Sequence, residues 1–263
     1  MKKWSLSLSL TSAVLWITAM TMFTSCLEGG KNTFSNESVG VVRFDTKTFR
    51  NVLDIPGAVA LYSPAFENMQ EGACCYVAYE VDMNAPENDP AILQANGYYT
   101  ATISFREEID KYTMSPGILT DTAKVLTAET AITEPIYSTL GYLNGILFMV
   151  HQLKKPSDQR TSWNLSYDSQ NMMQEENSKH IYDVYLRATV RIESAKTPEE
   201  SSEPCAYDIK HFMETAAQRE QSAGNSTFYI RFHYVSEIKD EALTWKQSDL
   251  DISVNAVLPE EGY

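Results

Sequence analysis

Apolar and polar residues alternate at a spacing of two through most of this chain. That period constrains the fold more than any other feature. Successive strand side chains point to opposite faces, so the pattern writes strands with one buried face. Leu250, Ile252, Val254 and Ala256 alternate with Asp249, Asp251, Ser253 and Asn255. Tyr182, Val184, Leu186, Ala188 and Val190 form a second series, and Phe228, Ile230, Phe232 and Tyr234 a third. Trp163, Leu165 and Tyr167, then Cys75, Val77, Tyr79 and Val81, then Tyr99, Ala101, Ile103 and Phe105 each line one face of a further strand. Val39–Phe44 and Ala58–Tyr62 read as shorter strands. Leu143–Val150 is nearly all apolar, which predicts a strand buried on both faces. Many short strands broken by Gly, Pro and Asn mark a mainly β chain of barrel or sandwich type.

Helical spacing stands out once. Ile209, Phe212, Met213, Ala216 and Ala217 follow it after Pro204, and Gly224 closes the run. The expectation is a short amphipathic helix packed on a sheet. Asp121–Ile132 reads as a second short helix or a loop. Alternation is sparse from Tyr112 to Glu134, where Pro116 and Gly117 also fall, so a boundary is placed there. Ser194–Pro204 is polar and acidic, as a surface loop would be. The resulting segments are 1–25, a tether over 26–37, a domain over 38–115, a linker over 116–134 and a second domain over 135–263.

Segment 1–25 is a secretory signal. Lys2 and Lys3 precede an uncharged stretch, Trp4–Ser25, and small residues then lead to Cys26. The pattern resembles a bacterial lipoprotein signal, with Cys26 as the lipidated first residue of the mature chain. Trp4–Ser25 is long enough to span a bilayer, yet Ser and Thr recur through it. Acyl chains on one cysteine add about 0.8 kcal/mol per buried methylene, so two or three hold a protein firmly at a membrane. Only Glu28 follows the cysteine closely as an acid, so the periplasmic leaflet of the outer membrane is expected rather than the cell surface.

The chain has 263 residues and a net charge of -14. Without residues 1–25, 19 basic against 35 acidic residues leave -16. Such a chain repels nucleic acid and anionic headgroups, which removes both as direct partners apart from the lipid on Cys26. Cys74, Cys75 and Cys205 remain beyond Cys26. Cys74 and Cys75 are neighbours on a strand and point to opposite faces, which favours small buried residues over a disulfide.

No constellation carries chemistry. His151, His180, His211 and His233 show no metal-ligand spacing, and His233 shares a strand face with Arg231. There is no nucleophile elbow and no Gly-rich phosphate loop. Glu107-Glu108 and Glu175-Glu176 are adjacent acids, which mark solvated positions more often than a catalytic pair across a cleft. Asp82, Asn84, Glu87, Asn88 and Asp89 are oxygen-rich but lack calcium-loop spacing. Tyr76, Tyr79, Tyr98 and Tyr99 either offer a sugar-stacking face or divide between core and rim, the latter favoured. No cofactor is expected.

Several features in order resemble the NigD-like lipoprotein family of Bacteroides and relatives. They are the signal ending at Cys26, the Gly-containing strand Ser38–Val42, Gly72 before a strand ending at Tyr79, and Tyr99–Phe105. Then come Glu134-Pro135-Ile136, Gly141–Phe148, Tyr185-Leu186-Arg187 and Thr227–Phe232. Two departures are Ala73-Cys74 after the glycine and a long acidic stretch from Ser194 to Gln221. The resemblance implies a small OB-like β-barrel over 38–115, then a β-sandwich over 135–263, and no catalytic residue. Asp121-Thr122-Ala123 further resembles an O-glycosylation site of exported Bacteroides proteins, with Thr122 as acceptor. The expected function is a non-enzymatic, lipid-anchored envelope protein that binds a protein or glycan partner. The alternative is an assembly subunit whose strand over 249–257 detaches and adds to a neighbour.

Overall fold

A computed structural model of the chain describes residues 32–117, 124–136, 141–190, 194 and 196–258. Cys26 and Thr122 lie outside the described residues. From Asn32 onward the chain is one compact unit.

The first half is a closed barrel. Strands β1 (Thr33–Asp45), β2 (Arg50–Asp54), β3 (Ala60–Tyr62) and β4 (Cys74–Asp82) precede helix α1 (Pro90–Asn96), then β5 (Tyr98–Thr100) and β6 (Thr102–Ile109). β1 pairs antiparallel with both β2 and β4, and β2 pairs with β3. β3 pairs parallel with β5, and β4 antiparallel with β6. Only Ala101 separates β5 from β6, so they are two halves of one bent strand. The order β5-β3-β2-β1-β4-β6 therefore returns to its own start, giving a five-stranded barrel of the expected OB type. β1 changes partner at Gly40 and Val41. A Cβ on Gly40 would lie 2.6 Å from the Asp54 carbonyl oxygen, so this crossing needs a residue without one. α1 is delimited by chemistry: Asp89 caps the Ala91 N–H, Pro90 opens the helix, and Gly97 closes it at φ 78°.

Two expectations fail here for identifiable reasons. β1 begins at Thr33, inside the stretch read as tether, and pairs with β4 although residues 33–37 are exposed. Pairing without burial leaves no alternation to read. Phe105 does not share the inner face of Tyr99, Ala101 and Ile103. The register between β4 and β6 shifts at Ala78/Tyr79, and this bulge turns Phe105 outward, 49% exposed, against Tyr76.

The second half is a sandwich. In chain order its strands are β7 (Lys111–Thr113), β8 (Glu129–Thr130), β9 (Ile132–Ile136), β10 (Tyr142–Leu143), β11 (Ile146–Lys155) and β12 (Thr161–Tyr167). They continue with β13 (Gln174–Glu176), β14 (Lys179–Val190), β15 (Glu199–Asp208), β16 (Thr227–Lys239) and β17 (Ala242–Ser253). Helix α2 (Lys210–Ser222) follows β15, and the short α3 (Val254–Val257) follows β17. One sheet runs β10-β11-β15-β7 with β9 beside β11; the other runs β12-β14-β16-β17 with β8 and β13 on β14. Their inner faces and α2 share one core, including Leu147, Met149, Trp163, Leu186, Phe212, Ala216 and Phe232. β11 is buried on both faces, as its composition predicts. Leu147 and Met149 enter the sandwich core, while Ile146 and Phe148 pack with Ala206 against Val39, Val41, Cys74 and Ile109 of the barrel. Cys74 and Cys75 do face opposite ways, and both are free, as is buried Cys205. Burial pushes the Cys74 thiol up to about 11 and Cys75 up to about 12.

The loop expected over 194–204 is in part a strand. Glu199–Pro204 pair with β11, and their acids meet its lysines: Lys154 with Glu200 at 3.8 Å and Lys155 with Glu203 at 2.8 Å. Cross-strand charge replaces apolar alternation as the pairing signal. The strand expected to run to residue 257 stops at Ser253, and Val254 turns into α3 with its side chain in the core.

Candidate functional site

The outer face of β14, β16 and β17 gathers the chemistry-bearing side chains. Parallel pairing of β14 with β16 sets Asp183 beside Arg231 and Tyr185 beside His233. β17 adds Asp249 opposite Arg231 and Gln247 opposite His233. The Arg231 guanidinium donates to Asp249 at 2.8 and 3.1 Å and to Glu176 at 2.7 Å. Hydrogen bonds to Asp249 and then Glu176 raise its pKa, and the Asp249 carboxyl is lowered in turn. His233 Nε2 lies 2.6 Å from Asp183, and its ring stacks on Tyr185 at 4.8 Å and 15°. Tyr185 meets Trp245 edge-on at 6.0 Å. Lys179 Nζ stands 4.3 Å over the Tyr229 ring.

At one end of this face lies a polar cavity of about 280 Å³, lined in part by Ser178, Lys179, His180, Asn225, Thr227 and Tyr229. Two of its lining residues, His180 and Asn225, are held by Glu220, a fully buried carboxylate on the last turn of α2. Glu220 accepts from the Tyr182 hydroxyl at 2.5 Å and from Asn225 Nδ2 at 2.7 Å, and lies 2.7 Å from His180 Nδ1. Burial alone would raise its pKa. The bonds from Tyr182, Asn225 and His180 outweigh that and hold it below the ordinary carboxylate value. The arrangement fixes the His180 ring and leaves its other nitrogen without a protein partner among the described residues.

At the far end of β14, Arg187 is 2% exposed and makes a two-pronged pair with Glu129, both bonds 2.6 Å. It also donates to the Lys124 carbonyl at 2.6 Å and lies 5.6 Å from the Trp245 ring. The pair fastens residues 124–130 to the sheet.

The histidines divide. His233 joins this face on Asp183, and His180 turns to the opposite side of β14, toward Glu220 of α2. His211 is exposed on α2. His151 is fully buried, 2.8 Å from the Tyr207 hydroxyl and tilted by 33° against the Trp163 ring at 4.1 Å. The adjacent acids stay apart from any cleft: Glu107 and Glu108 are exposed on β6, and Glu176 binds Arg231. Asp82 and Asp89 cap the turns around α1, and Asn88 is a structural bridge to Asp82 and Thr100. The four barrel tyrosines do not converge. Tyr79 is in the barrel core, Tyr98 packs with Val52 and Tyr62, and Tyr76 is half-buried beside Phe105. Among the described residues no cluster of three His, Cys, Asp or Glu could hold a metal.

Glu220 was missed by pattern reading, although a signal exists. It continues the α2 stripe Met213, Ala216, Ala217, so a carboxylate occupies a core position and needs partners there. His180 and Tyr182, two apart on β14, are those partners.

Comparison with known proteins agrees with this architecture. Residues 30–107 match the family of the lipoprotein OB domain. No curated protein matches the chain. The fold of the whole described unit recurs in an uncharacterised protein from Parabacteroides merdae, 20% identical, covering 83% of this chain and 99% of that one, with a TM-score of 0.70. A candidate lipoprotein from Bacteroides fragilis is 11% identical over 82% of this chain and 97% of its own, with a TM-score of 0.57. A NigD-like immunity protein from Bacteroides caccae is also similar, at 13% identity, 83% and 97% coverage and a TM-score of 0.49. The OB domain thus accounts for the barrel, and the sandwich that carries the polar face belongs to the shared two-part fold.

Proposed function

We propose that the protein is a non-enzymatic lipoprotein of the cell envelope, held at the periplasmic face of the outer membrane through Cys26. It binds a protein or glycan partner on the outer face of β14, β16 and β17. The observation that carries this reading is the concentration there of half-buried aromatic rings and oriented ion pairs, the composition of a recognition surface. The lipoprotein OB domain match supports the anchor. His180 and His233 are tied to carboxylates, and no nucleophile bonds to either ring among the described residues. That favours binding over hydrolysis. Thr122, if modified, would carry a glycan; Thr122→Ala should then raise electrophoretic mobility.

The test is protease shaving of intact cells together with affinity capture from their membranes. Protection, with capture lost in Tyr185→Ala/His233→Ala, supports the reading. Digestion moves the protein to the surface, and capture that survives the double variant rejects this face. A second reading, an assembly subunit, is favoured by β17, a 12-residue edge strand that pairs with β16 alone among the described strands. Unchanged assembly after deletion of residues 249–257 rules it out.

A further inference from the structure

The turn between β1 and β2 displays Phe49 under conditions that packing does not explain. Phe49 is 77% exposed, against 49% for Phe105, the next most exposed large apolar residue. Its φ is 56°, in the left-handed region that Gly or Asn would occupy at such a turn. The turn is rigid around it. Asp45 accepts from the Thr48 N–H at 2.9 Å and from its hydroxyl at 2.5 Å. Phe44, 41% exposed, stands on the same hairpin. Arg43 is engaged by Asp54 and Asp45. Arg50 is held 4.3 Å over the Tyr62 ring, and Lys47 forms no ion pair among the described residues. Residues 43–50 hold three basic side chains and one acid, on a chain of net charge -14.

We propose that this hairpin tip is a docking knob, with Phe49 entering an apolar pocket rimmed by carboxylates on a partner protein. Convexity selects the class. A small ligand needs concave walls, and a lone ring on a turn supplies none, so the pocket belongs to the partner. Charge complementarity selects the rim, because Lys47 and Arg50 bracket Phe49 in the sequence of the turn. The acidic body argues against nucleic acid and anionic lipid. An isologous contact between two copies through this turn would set two basic tips together. Phe49 would then be a pre-organised anchor, its conformation fixed before binding. The inference goes beyond the proposed function, adding a second contact on the barrel that does not depend on the sandwich face.

The experiment places a benzoylphenylalanine photocrosslinker in the full chain, at Phe49 in one strain and at Tyr229 in another, and irradiates intact cells. The expected result is one protein adduct at position 49, mapped to an apolar pocket with Asp or Glu around it. Its yield should fall at least tenfold with Lys47→Glu/Arg50→Glu. Purified Phe49→Gly should melt no lower than the parent, because it removes backbone strain and no packing. An adduct at 49 with a second copy or with lipid overturns the proposal, as does no adduct at 49. A lower melting temperature for Phe49→Gly also overturns it, by showing that the ring is structural. An adduct at Tyr229 without one at Phe49 defeats the knob and leaves the partner-binding reading intact.

Discussion

The barrel and the sandwich are both β, but they treat polar groups in opposite ways. The barrel half buries only Ser63 and Asn88 among its polar side chains, and the Asn88 amide is bonded on both sides. The sandwich half buries His151, Lys155, Gln159, Thr161, Ser166, Arg187 and Glu220. A dry core depends on shape and contact alone. A core threaded with charge depends on every partner being present, because an orphaned buried ion costs far more than its pair contributes. The barrel should therefore respond to cavities and ignore pH, and the sandwich should respond to both.

Arg187 gives the largest contrast. Arg187→Ala strands Glu129, whose side chain is wholly buried, and should cost about 3–5 kcal/mol by urea denaturation. Replacing both partners by Met should recover most of that loss, since no ion is then left unpaired. A double variant as unstable as the single one would mean that fastening residues 124–130, not charge, is the dominant role.

Leu53→Ala is the matching test in the barrel. Leu53 is fully buried in the barrel core, so truncation should cost about 3 kcal/mol. The loss should be the same at pH 5 and pH 7. A loss that varied with pH would break the contrast, because burial raises the pKa values of the ionisable groups of that core, Cys75 and Tyr79, and keeps them neutral at both pH values.

His151 supplies the pH dependence of the sandwich. Burial lowers its pKa to about 3, against about 6.5 in the unfolded chain. Between those values the unfolded state takes up a proton that the native state refuses. Stability therefore falls as pH drops below about 6.5, by on the order of 2–3 kcal/mol at pH 4.5. His151→Gln should flatten that limb, as read from melts across the range. An unchanged slope would assign it to other groups.

The period of two made the strands legible, and the doubly apolar stretch from Leu143 made β11 legible as a strand covered on both sides. What stayed hidden has a common physical cause. Glu129 and Arg187 are 58 residues apart, and Tyr182 and Glu220 are 38 apart, so each member looks like a solvated polar residue until topology joins them. The bulge that turns Phe105 outward is a one-residue event with no composition of its own. The acids of β15 read as loop because their lysine partners sit on β11. The polar face is a product of strand order, and a parallel β14–β16 contact cannot be read from either strand alone.

Glu220→Gln is the smallest and most selective change. The amide keeps the shape and can still accept from Tyr182, so the expected loss is about 1–2 kcal/mol at pH 7. Its pH signature separates it from His151. The Glu220 carboxyl is held below its ordinary value, so its contribution is complete above the unfolded pKa of roughly 4.3 and fades as pH falls through the lower native value. Glu220→Gln should thus flatten the stability curve below about pH 4.5 and leave the part of the His151 limb between about pH 4.5 and 6.5 unchanged. If Glu220→Gln also changed the slope between about pH 4.5 and 6.5, Glu220 would be titrating together with a second group, and the sandwich would hold a coupled network instead of separate sites.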